Sequence, residues 1–246
     1  YWPLALSLAN AFIRRKLKKT DPPFTLAEAI DRATTRLAEQ GITAFDQGDD
    51  NPARSTNASI QIVVDLLDPS MALAFGKLAV FPEDAKVPRD LLTRWLKKSG
   101  WPEIQVRDFC SELRDLALAQ GYEGLTHPFI QLHDHIWLFL RTRYKDGLPA
   151  WQREFLGAVR PPAIPEDPWE PWPSSPWARM EAVGNDFLWR NLEYHLTEAG
   201  LEKEWREAVW DWHFIAGRAA AIGDDLSDIT GWDSKSLSEM RSAEDP

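Results

Sequence analysis

This sequence has one cysteine, Cys110, in 246 residues. An internal disulfide is therefore excluded, as is a zinc site built on several thiolates, and the composition suits a reducing compartment. Apolar runs are short, and none approaches the roughly 20 residues that span a bilayer. The N-terminal stretch is apolar first and basic second, the reverse of a secretory signal. A cytoplasmic location is the expectation. Basic residues are outnumbered, 28 Lys and Arg against 38 Asp and Glu, leaving a net charge of −10. Nonspecific nucleic-acid binding depends on Lys and Arg against phosphates, so that balance opposes it, although Arg14-Arg15-Lys16 and Lys18-Lys19 form a local basic patch. Catalytic signatures are missing too. The sequence holds no glycine-rich phosphate loop ending in Gly-Lys-Ser/Thr, no strand ending in consecutive acids for magnesium and no Gly-x-Ser-x-Gly elbow. The chain by itself is therefore not expected to be an enzyme.

What is abundant is tryptophan, with 13 residues in a chain that is 44% apolar; such rings suit helix-on-helix cores. Leu4, Leu6, Leu8, Ala9, Phe12 and Ile13 recur at helical spacing and predict a helix over 3–19, with Pro3 in its first turn and a stop at Asp21-Pro22-Pro23. Thr25-Leu26-Ala27-Glu28 reads as a capping box. It precedes an apolar stripe of Leu26, Ile30, Ala33 and Leu37, with Gly41 as the stop. Residues 46–58 read as an exposed loop.

From 59 to 144 the pattern gives a helix through Ile60, Val63, Val64, Leu66 and Leu67, broken at Asp68-Pro69. A short helix over 71–76 leads into the apolar run 78–81. Helices over 87–98 and 106–118 come next, then a hairpin over 121–132 turning near Gly124 or His127-Pro128, then a helix over 136–144. Three helices and a two-stranded hairpin form the winged-helix order. Seven prolines lie between Arg160 and Trp177, interleaved with Trp169, Trp172 and Trp177. That density excludes a helix and favours an extended path. It reads as a stiff linker docking its tryptophans on the helices beside it, or as a ligand for an aromatic-lined groove on a partner. Two long helices over 177–199 and 201–222, divided at Gly200, precede a polar, frayed end at 233–246.

Several of these segments resemble one family. Residues 78–88, LAVFPEDAKVP, are similar to the heart of the winged-helix domain of NB-ARC proteins, the STAND class of signalling ATPases. Residues 130–134, IQLHD, are similar to the motif that ends that domain, with Leu132 where Met is usual. Residues 2–6, WPLAL, resemble the Gly-Leu-Pro-Leu-Ala stretch of the preceding small helical domain, with the Gly absent. The segment 177–221, containing DFLWRNLEYHLTEAG and WDWHFIAGRA, resembles the helical domain of apoptotic protease-activating factors. The resemblance implies a mainly α fold, with a winged-helix domain bearing a small β-hairpin followed by an α-helical domain. It divides the chain at 1–42 (the end of the small helical domain), 43–146 (the winged helix) and 147–246 (the helical domain with its Pro/Trp-rich start).

The resemblance implies two site residues. His133 matches the histidine that contacts the β-phosphate of ADP and holds the closed state; a histidine that only caps or packs at the domain end is the alternative. A helix N-terminus attracts anions, and an imidazole there can donate to a phosphate oxygen. Pro3 matches the proline that lies against the adenine ring; its plain alternative is a first-turn proline. ADP or ATP is expected only together with an upstream P-loop domain, whose complete protein would be an ATPase. The chain, beginning at Tyr1 inside a helix, is expected to come from something longer. Self-oligomerisation on activation and a C-terminal repeat or sensor domain are the further partners implied, with neither nucleic acid nor membrane. His133-Asp134-His135 shares one face only on a strand, so no metal site is expected. Two alternatives stay open: a nucleotide-independent interaction scaffold, and a winged-helix regulator that binds nucleic acid.

Overall fold

A computed structural model describes residues 2–19, 24–37, 52–122, 128–162, 175–181 and 184–222. Among them the chain is mainly helical, 11 α-helices with a small three-stranded antiparallel sheet. It divides into two compact units, Tyr1–Ala158 and Val159–Pro246. The expected features at Asp21-Pro22-Pro23, Gly41, Gly124 and 233–246 lie outside the described residues.

The first unit begins with α1 (Trp2–Lys19), α2 (Leu26–Leu37) and α3 (Pro52–Val64). The capping box forms reciprocally: Thr25 N donates to Glu28 Oε2 at 2.8 Å, and Glu28 N donates to Thr25 Oγ1 at 3.3 Å. Those bonds, the backbone one first, hold the Glu28 carboxyl below its usual range. Leu4, Leu8 and Phe12 are buried, one turn apart, whereas Leu6 is 63% exposed. The α2 stripe keeps the expected Ala33 but otherwise differs from the expected one. Ala29 and Ala33 face the core while Leu26 and Ile30 are exposed; alanines let helices approach closely, and α2 packs on both α1 and α3. Within the expected loop 46–58, residues 52–58 are helical instead. Pro52 sits at the helix start, where its missing N–H is harmless, and the buried Ile60, Ile62 and Val63 anchor the C-terminal half of that helix.

The rest of this unit is α4 (Pro69–Lys77), a 3-10 turn (Leu78–Val80), β1 (Val87–Pro88), α5 (Arg89–Lys98), α6 (Glu103–Asp115), β2 (Gln120–Tyr122), β3 (Phe129–Gln131), α7 (Asp134–Tyr144) and α8 (Leu148–Val159). The expected helix over 87–98 loses its first two residues to β1. Pro88 is extended (φ −61°, ψ 134°), and Val87 pairs with Ile130, so the hairpin β2–β3 gains a third strand in the order β1-β3-β2. Gly121 lies close to Phe129, whose carbonyl oxygen would stand 2.8 Å from any added Cβ. The core holds Phe81, Trp95 and Phe155 edge to face, with centroids 5.2–5.9 Å apart. Buried Gln152 donates to Val80 O at 2.7 Å, which ties α8 to the 3-10 turn.

The second unit contains a 3-10 turn (Pro176–Arg179), α9 (Asp186–Glu198), α10 (Glu202–Val209) and α11 (Trp212–Ile222). Neither expected long helix is continuous. The first starts only after Gly184, whose φ of +80° breaks it. The second breaks at Trp210-Asp211, because Asp211 Oδ1 accepts from His213 N at 2.9 Å and caps a new helix. Pro176 opens a 3-10 turn where an extended path was expected, and it seats Trp177 at 1% exposure. Trp189 packs on Phe214 with centroids 5.3 Å apart, and Gly217 leaves room for its ring edge.

Candidate functional site

The site is built where β3 hands over to α7. Ile130 is buried and pins the strand, Leu132 comes next, and His133 ends the extended chain with φ −75° and ψ 143°. His133 is the N-cap residue of α7. Its Nδ1 accepts from His135 N at 3.4 Å, so the ring proton belongs on Nε2, which is left as a donor. Asp134 takes the first helical position and is exposed; a carboxylate in a first turn is favoured by the helix dipole. His133 is half-buried and stacks on His135, with centroids 5.5 Å apart and planes 19° apart.

Two segments distant in sequence meet here. Gln131 Nε2 donates to Asp84 O at 3.1 Å, Trp137 Nε1 donates to Phe81 O at 2.9 Å, and Val87 pairs with Ile130. Asp84 holds a left-handed φ of 57°, which Asp tolerates better than most residues, and so the turn 82–85 presents its carbonyl to Gln131. Residues 78–88 and 130–137 therefore form one structural piece. Gln131 and Asp84 lie within the two quoted motifs, but only the pairing of β1 with β3 reveals their contact.

Pro3 is exposed in the first turn of α1, where its carbonyl accepts Ser7 Oγ at 2.9 Å. It does not share an element with His133; α1 and α7 each pack on α3. Among the described residues no group of three or more His, Cys, Asp or Glu is placed to hold a metal ion.

No family model matches the chain, and no curated protein is similar to it. The described residues also include no helix long and apolar enough to cross a membrane.

Proposed function

We propose that this chain is the regulatory segment of a STAND-type nucleotide switch, closing over ADP held by an upstream P-loop domain of the same polypeptide. The observation that carries the reading is the union of 78–88 with 130–137 around His133. They contain two of the four segments on which the NB-ARC resemblance rests, and their assembly into a sheet-flanked helical unit supports a winged-helix domain.

The chain's own residues suit a one-sided phosphate contact. His133 Nε2 offers a donor because Nδ1 is engaged by His135 N, and the α7 N-terminus adds its dipole. A bound nucleotide would supply the negative charge that this donor recognises. Donors that face the phosphates in only one arrangement of the domains bias the equilibrium towards it, and a differential of a few kcal/mol suffices. Loss of the contact would release the segment for self-oligomerisation.

The test is nucleotide released by acid from the protein purified at its native length, as wild type and as His133→Ala. ADP in the wild type and at least tenfold less in the variant is the expected result. Equal ADP in both would return His133 to a structural cap. No nucleotide in either would favour the scaffold.

A further inference from the structure

His133 lies between two tethers. Two residues before it, Gln131 Nε2 donates to Asp84 O at 3.1 Å, and four residues after it Trp137 Nε1 donates to Phe81 O at 2.9 Å. Both acceptors are fixed points. The Phe81 ring is 2% exposed and packs edge to face on Trp95 and Phe155, so its carbonyl is held by the core. Asp84 sits in the turn that Ala85 N closes on Pro82 O at 3.3 Å, and its carboxylate oxygen stands 3.4 Å from the same Gln131 amide.

Trp137 is also coupled to His133 through the backbone. Trp137 N donates to His133 O at 2.9 Å, closing the first turn of α7, and residues four apart share a helical face. An indole held to Phe81 O therefore fixes the roll of that turn, and with it the direction in which His133 leaves the backbone. The Arg141 guanidinium, 5.3 Å from the Trp137 ring centroid, covers the indole from the next turn. On the other flank, the pairing of Ile130 with Val87 and the Gln131 bond fix the end of β3. We propose that Trp137 and Gln131 are positioning residues, which hold His133 so that Nδ1 stays on His135 N and Nε2 keeps one direction as a donor. What Nε2 faces rests on the nucleotide reading; the tethering stands on the bonds to Phe81 and Asp84.

The imidazole nitrogen spectrum of the isotope-labelled full chain tests this, in buffer alkaline enough to keep ordinary histidines neutral. It separates a bare ring nitrogen from a protonated one, and the signals missing from His133→Asp assign the ring. The expected wild-type ring carries its proton on Nε2 and leaves Nδ1 bare. Trp137→Phe keeps an aromatic ring and loses the N–H, and Gln131→Ala loses the amide at a bond open to solvent. Each should raise the Nδ1-protonated population several-fold and lower the ADP retained by the native-length protein several-fold, with thermal unfolding showing the variant folded. Gln131→Ala carries the test should Trp137→Phe not fold. Trp189→Phe, which removes an indole bond to Glu181 O at 3.1 Å in the second unit, should leave the His133 ring unchanged. An unchanged ring in the folded variants, or an equal change in Trp189→Phe, overturns the proposal, and so does an altered ring with wild-type ADP. Absence of ADP even from the wild type would instead defeat the nucleotide reading, and the ring signature then decides the tethering alone.

Discussion

In the unit Tyr1–Ala158, the indole N–H of Trp95 donates to Glu154 at 3.2 Å, and Lys77 binds the same carboxylate at 2.6 Å. Lys77 also sits 5.7 Å from the Trp95 ring centroid. In Val159–Pro246 the trio recurs with different residues. Trp177 donates to Glu204 at 3.2 Å, Arg160 binds that carboxylate at 2.5 Å, and Arg160 lies 5.7 Å from the indole. Trp95 and Trp177 are 0% and 1% exposed, so each buried N–H requires an acceptor. A carboxylate at the core's edge provides it, and a cation both neutralises the acid and covers the ring. The units differ in what else they bury. His195 is fully enclosed in the second unit beside Phe187 and Tyr194, and burial pushes its pKa down to about 3. The described histidines of the first unit, His133 and His135, are half-buried. The two units thus share an anchoring device and should part company in acid.

The largest effect belongs to the anchors. Trp95→Ala and Trp177→Ala should each destabilise their own unit by about 3–5 kcal/mol. Amide exchange in α5 and α9 reads the two separately, and a loss under about 1 kcal/mol in either would break the parallel. Acid comes next. The folded pKa of His195 lies below the free value of 6.5, so the neutral ring's contribution is complete above pH 6.5 and is lost as pH falls towards about 3. From pH 7 to pH 5 the protection of α9 should drop by about 2 kcal/mol. His195→Leu should flatten that slope, and α5 should not follow it. Glu154→Gln and Glu204→Gln should cost less, roughly 1 kcal/mol each in urea unfolding, since both carboxylates retain partial solvation. Smallest is Lys203→Ala, which removes an exposed i,i+4 pair with Glu207 at 3.6 Å and should cost under about 0.5 kcal/mol. A cost equal to that of Glu204→Gln would deny the indole-bound carboxylates any special value.

The elements legible in the sequence are those fixed by local chemistry. The capping box at Thr25 and Glu28 and the helices around Trp95 and Phe109 arise from residues within one or two turns. The faces of α1 and α2 were harder: the period placed Ala33 in the core, but alone did not say that Ala29 would join it while Leu26 and Ile30 stayed exposed. Strand β1 escaped notice since its two residues pair with a partner 43 residues away at Ile130, and Pro88 resembles a helix start. The break at Trp210-Asp211 is hidden inside an apolar run, and only the backbone bonds to Asp211 expose it. Of the candidate sites, His133 was named from the resemblance of 130–134 to the motif that ends the winged-helix domain. Its role as the N-cap, with Nδ1 engaged, depends on the backbone of His135.

In the proposed switch, His133 would face a phosphate as well as capping α7. His133→Asp separates the two roles, because aspartate is a strong N-cap residue but repels an anion. The decisive measurement is the ADP content of the protein at its native length carrying His133→Asp, beside its thermal unfolding. The expected result is unfolding close to wild type with ADP reduced at least tenfold. Wild-type ADP together with wild-type stability would contradict it and leave His133 as a cap alone.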